Sequence, residues 1–169
     1  MADVVQFIIT GGTIDSTTVG QDRDLLYEHS IVPSYIKSKN ILPNADFVEL
    51  FLKDSRDVTG QDRLQILQNI EQSAFQKIIV THGTFTLAET AKYIKINLAN
   101  KDKTVIFTGS VVPLSFKDSD APANLDFAIA KAQELTSGVY ICMNNRVFNP
   151  EEAIKDEATG KFYSIFDKK

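Results

Sequence analysis

The chain has 169 residues, a net charge of −4, and 43% hydrophobic and 24% charged residues, the size and balance of one globular domain that buries a core without staples. Cys142 is the only cysteine, which excludes an intrachain disulfide, and with only His29 and His82 beside it a cysteine/histidine metal site is not expected. No basic block supports nucleic acid as a partner, and no apolar stretch approaches membrane-spanning length.

In chain order, the first element predicted is a β-branched apolar strand over Val4–Thr10, stopped by Gly11-Gly12. It begins without a basic leader, so a cytoplasmic setting is expected. Residues 15–30 are polar and lack periodicity, the mark of a functional lid loop. Ile31–Lys39 reads as a short helix with Pro33 in its first turn, and Ala45–Leu52 as an alternating strand. Gln61–Ser73 is an amphipathic helix with Thr59 as its N-cap. Lys77–Thr81 is a short buried strand. The next helix, Thr86–Leu98, opens on Thr86-x-x-Glu89, a capping-box spelling. Thr104–Thr108 is a fourth strand, Ala121–Leu135 a helix and Gly138–Met143 a fifth strand. Met143-Asn144-Asn145-Arg146 reads as a turn, and Phe162–Phe166 as a short strand or hairpin arm. Buried strands alternating with amphipathic helices predict a three-layer α/β/α domain on a mainly parallel sheet, spanning residues 1–169 as one unit. Ligands in such sheets sit at the carboxyl ends of the strands, near a switch in strand order.

Three predicted strands end alike, on a hydroxyl residue followed by glycine, in Thr10-Gly11-Gly12-Thr13, Thr81-His82-Gly83-Thr84 and Thr108-Gly109-Ser110. Glycine permits close approach of a substrate, and exposed amides in such turns form an anion-binding concavity. Three such ends on one sheet edge point to a hydroxyl-lined site. A threonine hydroxyl needs a base before it attacks. Lys155 is a candidate, since a lysine whose pKa falls on burial can take a proton. Tyr27, in the lid loop, is another source of a hydroxyl beside Thr13. Asp54-Ser55-Arg56-Asp57 reads equally well as a polar-ligand segment or as a cap for the helix that follows. His82 reads as structural, and Asp118, Asp120 and Asn124 as caps of the last helix. Neither a phosphate-loop lysine nor a full G-x-G-x-x-G spacing is present, which weighs against a nucleotide-binding module.

Thr10-Gly11-Gly12-Thr13-Ile14 and Thr81-His82-Gly83-Thr84, with Glu89-Thr90-Ala91 after the latter, resemble the two signature segments of the bacterial-type L-asparaginases. The segment Asp54–Asp57, the stretch Gly109–Pro113, the run Ser119–Leu125 and the stretch Met143–Lys155 agree in order and spacing. The resemblance implies a short form of that family, without its C-terminal domain. It implies an amidohydrolase that converts L-asparagine or a related small amide to L-aspartate and ammonia, with no cofactor and no metal. Thr13 would be the nucleophile, assisted by Tyr27, and Thr84 with Lys155 the second catalytic group. Gly12, Asp54, Ser55, Arg56, Gly83 and the residue at 85 would contact substrate, Ser55 at its α-carboxylate. A homodimer or homotetramer is also implied.

One position departs from the pattern. The family has aspartate after the second threonine, where it pairs with the substrate's α-ammonium and orients the lysine; here that residue is Phe85. Phenylalanine supplies neither interaction, so weakened asparagine binding is expected unless Asp54 or Asp57 fills in. The apolar ring also favours a less polar amide. The competing reading is a catalytically weak homologue that binds an amino acid or another small ligand.

Overall fold

The computed structural model describes residues 4–18, 23 and 25–168. Its order is β1 (Val5–Gly11), α1 (Val32–Lys39), β2 (Asp46–Lys53), α2 (Gly60–Gln72), β3 (Lys77–Thr81), α3 (Leu87–Asn97), β4 (Thr104–Thr108), α4 (Ala121–Glu134), β5 (Gly138–Met143), β6 (Arg146–Phe148), β7 (Ala153–Lys155) and β8 (Phe162–Ser164). The main sheet runs β2-β1-β3-β4-β5-β6. Its first five strands are parallel and β6 is antiparallel. The chain steps from β1 outward to β2, then crosses back to β3 on the other side of β1. The order therefore switches between β1 and β3, where their carboxyl ends part and leave a crevice.

Alternate residues of each central strand enter opposite cores, as the two-residue strand period requires. Ile8, Ile78, Val80, Val105 and Phe107 pack with Ile66 and Ile70 of α2 and Leu87 and Ile94 of α3. Phe7, Ile9, Ile79 and Ile106 pack with Ile36 of α1 and Leu125 and Ala128 of α4. The sheet is thus covered on both faces, the expected three layers. This explains why the central strands read as unbroken apolar runs, whereas β2, at the sheet edge, is only half-buried.

Local chemistry sets the starts of two helices. Thr59 caps α2, and a reciprocal bond from its backbone to Asp62 completes a capping box. Pro33 sits in the first turn of α1. Two expected caps are corrected. The Thr86 hydroxyl does not cap α3; it donates to the Ser55 carbonyl at 2.7 Å, and Glu89 pairs instead with Arg63 at 3.2 Å. Nor does Asp120 cap α4. Its carboxylate accepts the backbone N–H groups of Val111 and Val112 and the Asn124 amide. Asp120 obtains more hydrogen bonds by joining the loop than by serving one helix end, and Thr86 exchanges a cap for a bond to another loop. Asn124, 2% exposed, donates to the Gly109 carbonyl at 3.0 Å and accepts the Asn144 N–H at 3.1 Å. It ties the loop after β4 to the turn after β5.

The turn at Asn144-Asn145 is a two-residue hairpin, with φ of 54° and 56°. Asparagine tolerates this left-handed region, and two such residues give the twist that a tight hairpin needs. The residue pattern marks the turn but not β6 behind it. The expected arm at Phe162–Phe166 forms as β8, but over Phe162–Ser164, and pairs antiparallel with β7, which carries Lys155. Burial of Ala153 and Phe162 in the core, and a bond from the Phe162 N–H to the Asn144 side chain at 2.8 Å, dock this hairpin on the sheet.

Candidate active site

The carboxyl ends of β1, β2 and β3 meet in backbone contact. Gly12 has φ 86°, a conformation that glycine adopts without strain. A Cβ built there would lie 2.2 Å from the Gly83 Cα, and one built on Gly83 would lie 2.7 Å from the Ser55 side chain. No other residue fits either position. The loops that carry Thr13, Ser55 and Thr84 therefore close on one point, directly at the switch in strand order. The Gly12 N–H donates to the Lys53 carbonyl at 2.9 Å, which locks the first two loops together. Ser55 locks the second to the third: its Oγ accepts the Thr86 N–H at 3.3 Å, and its carbonyl the Thr86 hydroxyl. Gly109 completes the row, since a Cβ there would lie 2.3 Å from the His82 carbonyl oxygen.

Not every strand-end hydroxyl faces a ligand. Thr10 Oγ1 donates to the Thr81 carbonyl and Thr108 Oγ1 to the Cys142 carbonyl, stapling neighbouring strands. Ser110 donates to the Val112 carbonyl. The expectation of a hydroxyl-lined edge thus narrows to two strand ends, those followed by Thr13 and Thr84. Thr13 is half-buried in a 3-10 turn over Thr13–Asp15, and Thr84 is 4% exposed.

Part of the lid segment, residues 19–22 and 24, lies outside the described residues. The rest folds back beside Thr13. Ser16 bridges to Leu26, and the Tyr27 N–H donates to the Asp15 carbonyl at 3.0 Å. Tyr27 is half-buried. The buried Asp15 carboxylate anchors the loop's far end by accepting the Ser30 hydroxyl at 2.8 Å and the Ile31 N–H at 3.0 Å. Burial raises its pKa despite these bonds. Sequence reasoning missed Asp15, because a single acid beside a threonine has no distinctive spelling. Arg23 reaches Asp57 at 2.8 Å across a groove of about 600 Å³ that is also lined by Leu25, Leu26, Leu52, Lys53 and Asp54.

Lys155 comes to the site on β7. Its ammonium lies 3.7 Å from the centroid of the Phe85 ring, and the Arg56 guanidinium lies 4.3 Å from the same centroid. The ring faces are negative, so the pair of contacts is attractive. Phe85 itself is 44% exposed. The carboxylates expected as substitutes are engaged elsewhere: Asp54, 5% exposed, accepts the Arg56 backbone N–H and its guanidinium, and Asp57 pairs with Arg23. Asp54 also caps its own 3-10 turn, Ser55–Asp57, rather than α2.

His82 is structural, as its sequence context suggests. It is fully buried, and burial pushes its pKa down to about 4, with the Gly83 carbonyl opposing and the nearby Arg63 assisting. A neutral ring beside a carbonyl carries its proton on Nδ1, which donates to Gly83 at 2.8 Å. The unfolded chain protonates this ring below about pH 6.5 and the folded chain does not. Stability is therefore full above that pH and is lost as pH falls toward 4, on the order of 2 kcal/mol by about pH 5. His82→Asn keeps a donor without the titration. Urea unfolding at about pH 7 and pH 5 is expected to show a smaller loss for the variant; equal losses would place the acid sensitivity elsewhere.

A family model described as asparaginase, N-terminal, matches residues 4–164. A glutaminase-asparaginase of Acinetobacter glutaminasificans is 25% identical over 163 residues, covering 89% of this chain and 49% of the relative. An L-asparaginase of Thermococcus kodakarensis is 28% identical over 144 residues, covering 82% of this chain and 43% of the relative. The solved structure of the thermostable L-asparaginase from Thermococcus kodakarensis superposes with a TM-score of 0.84 at 24% identity, over 97% of this chain and 52% of that one. The chain thus spans about half the length of the curated relatives it matches. By the match over residues 4–164, the chain belongs to the asparaginase family, an amidohydrolase family, and corresponds to its N-terminal domain.

Proposed function

We propose that this chain hydrolyses a small linear amide, L-asparagine or a relative of it, through an acyl-enzyme on Thr13. The observation that carries the reading is the contact of Gly12 with Gly83 and of Gly83 with Ser55, which gathers the segments of Thr13, Ser55 and Thr84 at the sheet's switch point. Thr13 Oγ1 attacks the amide carbon, the C–N bond breaks, and ammonia leaves with the proton. Water then cleaves the ester and frees Thr13 and a carboxylate product. Tyr27 assists Thr13 from the lid loop, and Thr84 with Lys155 assists the proton transfers. Backbone N–H groups around Thr84 stabilise the tetrahedral oxyanion, an effect that is often the largest in acyl transfer. Gly12, Asp54, Ser55, Arg56, Gly83 and Phe85 form the substrate's surroundings.

A second reading is ligand binding without turnover. It is favoured by the aromatic ring that lies against the Lys155 ammonium at the position directly after Thr84. Ammonia release from L-asparagine, L-glutamine and simple amides separates the two. Turnover of any of them supports the hydrolase, and background rates with all of them leave the binding reading.

A further inference from the structure

Asp15 stands two residues beyond Thr13 and is fully buried. The turn they share is a fixed post. The Asp15 N–H donates to the Gly12 carbonyl at 3.0 Å, and the Ile14 carbonyl accepts the Leu114 N–H at 3.1 Å from the loop after β4. To this post Asp15 ties the returning arm of the loop, residues 25–31, at two points. Its carbonyl accepts the Tyr27 N–H at 3.0 Å, and Oδ1 of its carboxylate accepts the Ser30 hydroxyl at 2.8 Å and the Ile31 N–H at 3.0 Å. Bonds to an ionised acceptor are the stronger kind, and burial shields these from water. The second oxygen, Oδ2, is buried without a hydrogen-bond partner among the described residues. A side chain that served packing alone would carry no such cost. Glu49 of β2 holds the same arm from outside, accepting the Ser30 N–H at 2.8 Å. Asp15 differs in belonging to the turn of Thr13 itself.

We infer that Asp15 is a positioning residue of this site: its buried carboxylate holds the arm that carries Tyr27 against the turn of Thr13, so that the two hydroxyls keep one spacing. The inference rests on the amidohydrolase reading above for the roles of Thr13 and Tyr27, and the hold is therefore measured apart from turnover.

Amide hydrogen exchange followed by NMR reads the hold. In Asp15→Ala the Tyr27 N–H is expected to exchange about tenfold faster than in the unaltered chain, the scale of losing a charge-assisted bond, with Ile79 of β3 unchanged. Alanine keeps the backbone carbonyl that Tyr27 bonds, so faster exchange there reports the lost side chain. Ser30→Ala removes only the hydroxyl's bond to Asp15, and about threefold is expected of it. Ammonia release reads catalysis. In Asp15→Ala, kcat is expected to fall about tenfold with KM changed far less. The same substitution in a Tyr27→Phe chain is expected to cost no more than about twofold, because its route to the chemistry is already gone. Tyr27 exchange as slow as in the unaltered chain, in a folded Asp15→Ala chain or in Ser30→Ala, would overturn the inference whether or not any chain releases ammonia. Faster exchange with no ammonia from any chain would leave the hold standing and remove the hydrolase reading. A full tenfold loss of kcat in the Tyr27→Phe chain would mean that Asp15 acts otherwise than through Tyr27, and would overturn the inference as well.

Discussion

Ammonia release by the Thr13→Ala chain is expected to fall to the level measured without protein, a loss on the order of 10³-fold or more. The proposed reaction runs through one covalent intermediate, the ester on Thr13, and an alanine side chain has no group to form it. Thr13 sits one residue beyond the Gly12–Gly83 contact, in a 3-10 turn whose backbone is held from both sides. The Ser16 N–H donates to the Thr13 carbonyl, and the Asp15 N–H to the Gly12 carbonyl. Alanine leaves those bonds intact, so the melting temperature is expected to change little. Thr13→Ser, which keeps the hydroxyl, is expected to retain measurable turnover. Thr13→Ala with unchanged turnover would remove Thr13 from the mechanism.

Gly12→Ala is expected to cost on the order of 3–5 kcal/mol of stability and to remove activity with it. The new methyl would have to occupy a point 2.2 Å from the Gly83 Cα and 2.4 Å from its nitrogen, both backbone atoms. A flexible side chain can move aside; two strand ends fixed in a parallel sheet cannot. Alanine at φ 86° adds its own strain. Gly60 is the control. It opens α2, and a Cβ there meets nothing within 4 Å. Gly60→Ala is expected to be neutral or slightly stabilising, because it narrows the unfolded ensemble. Denaturant unfolding of both variants tests the contrast. Similar stabilities for the two would mean that the loops yield more than their packing implies.

The sheet was legible in the residues because its strands are buried on both faces. Val-, Ile- and Phe-rich runs such as Lys77–Thr81 and Thr104–Thr108 have no other stable place in a folded chain, and both match the observed strands at each end. Thr59 was legible as a cap because Asp62 stands three residues on and returns the bond. Thr86-x-x-Glu89 has a comparable spelling and failed. Ser55 offers Thr86 a carbonyl from a different loop, and Arg63 offers Glu89 a charge from a different helix. A capping box competes with every partner that tertiary packing brings near, and a local pattern contains none of them.

The same limit divides the site. Which residues stand beyond the strand ends, that they are threonines and glycines, and that position 85 carries no carboxylate are properties of the sequence alone. The sheet order then decided which strand ends would touch: β1 lies between β2 and β3, so Gly12 meets Lys53 on one side and Gly83 on the other. Lys155 depended on folding most of all. It lies 70 residues beyond Phe85 on a three-residue strand with no helical or strand periodicity to announce it, and a hairpin docked by Asn144 delivers it to the ring. Hydrophobic pattern is local and repeats along the chain, so it specifies elements. Contacts between a cation and an aromatic ring so far apart exist only once the core has closed around both.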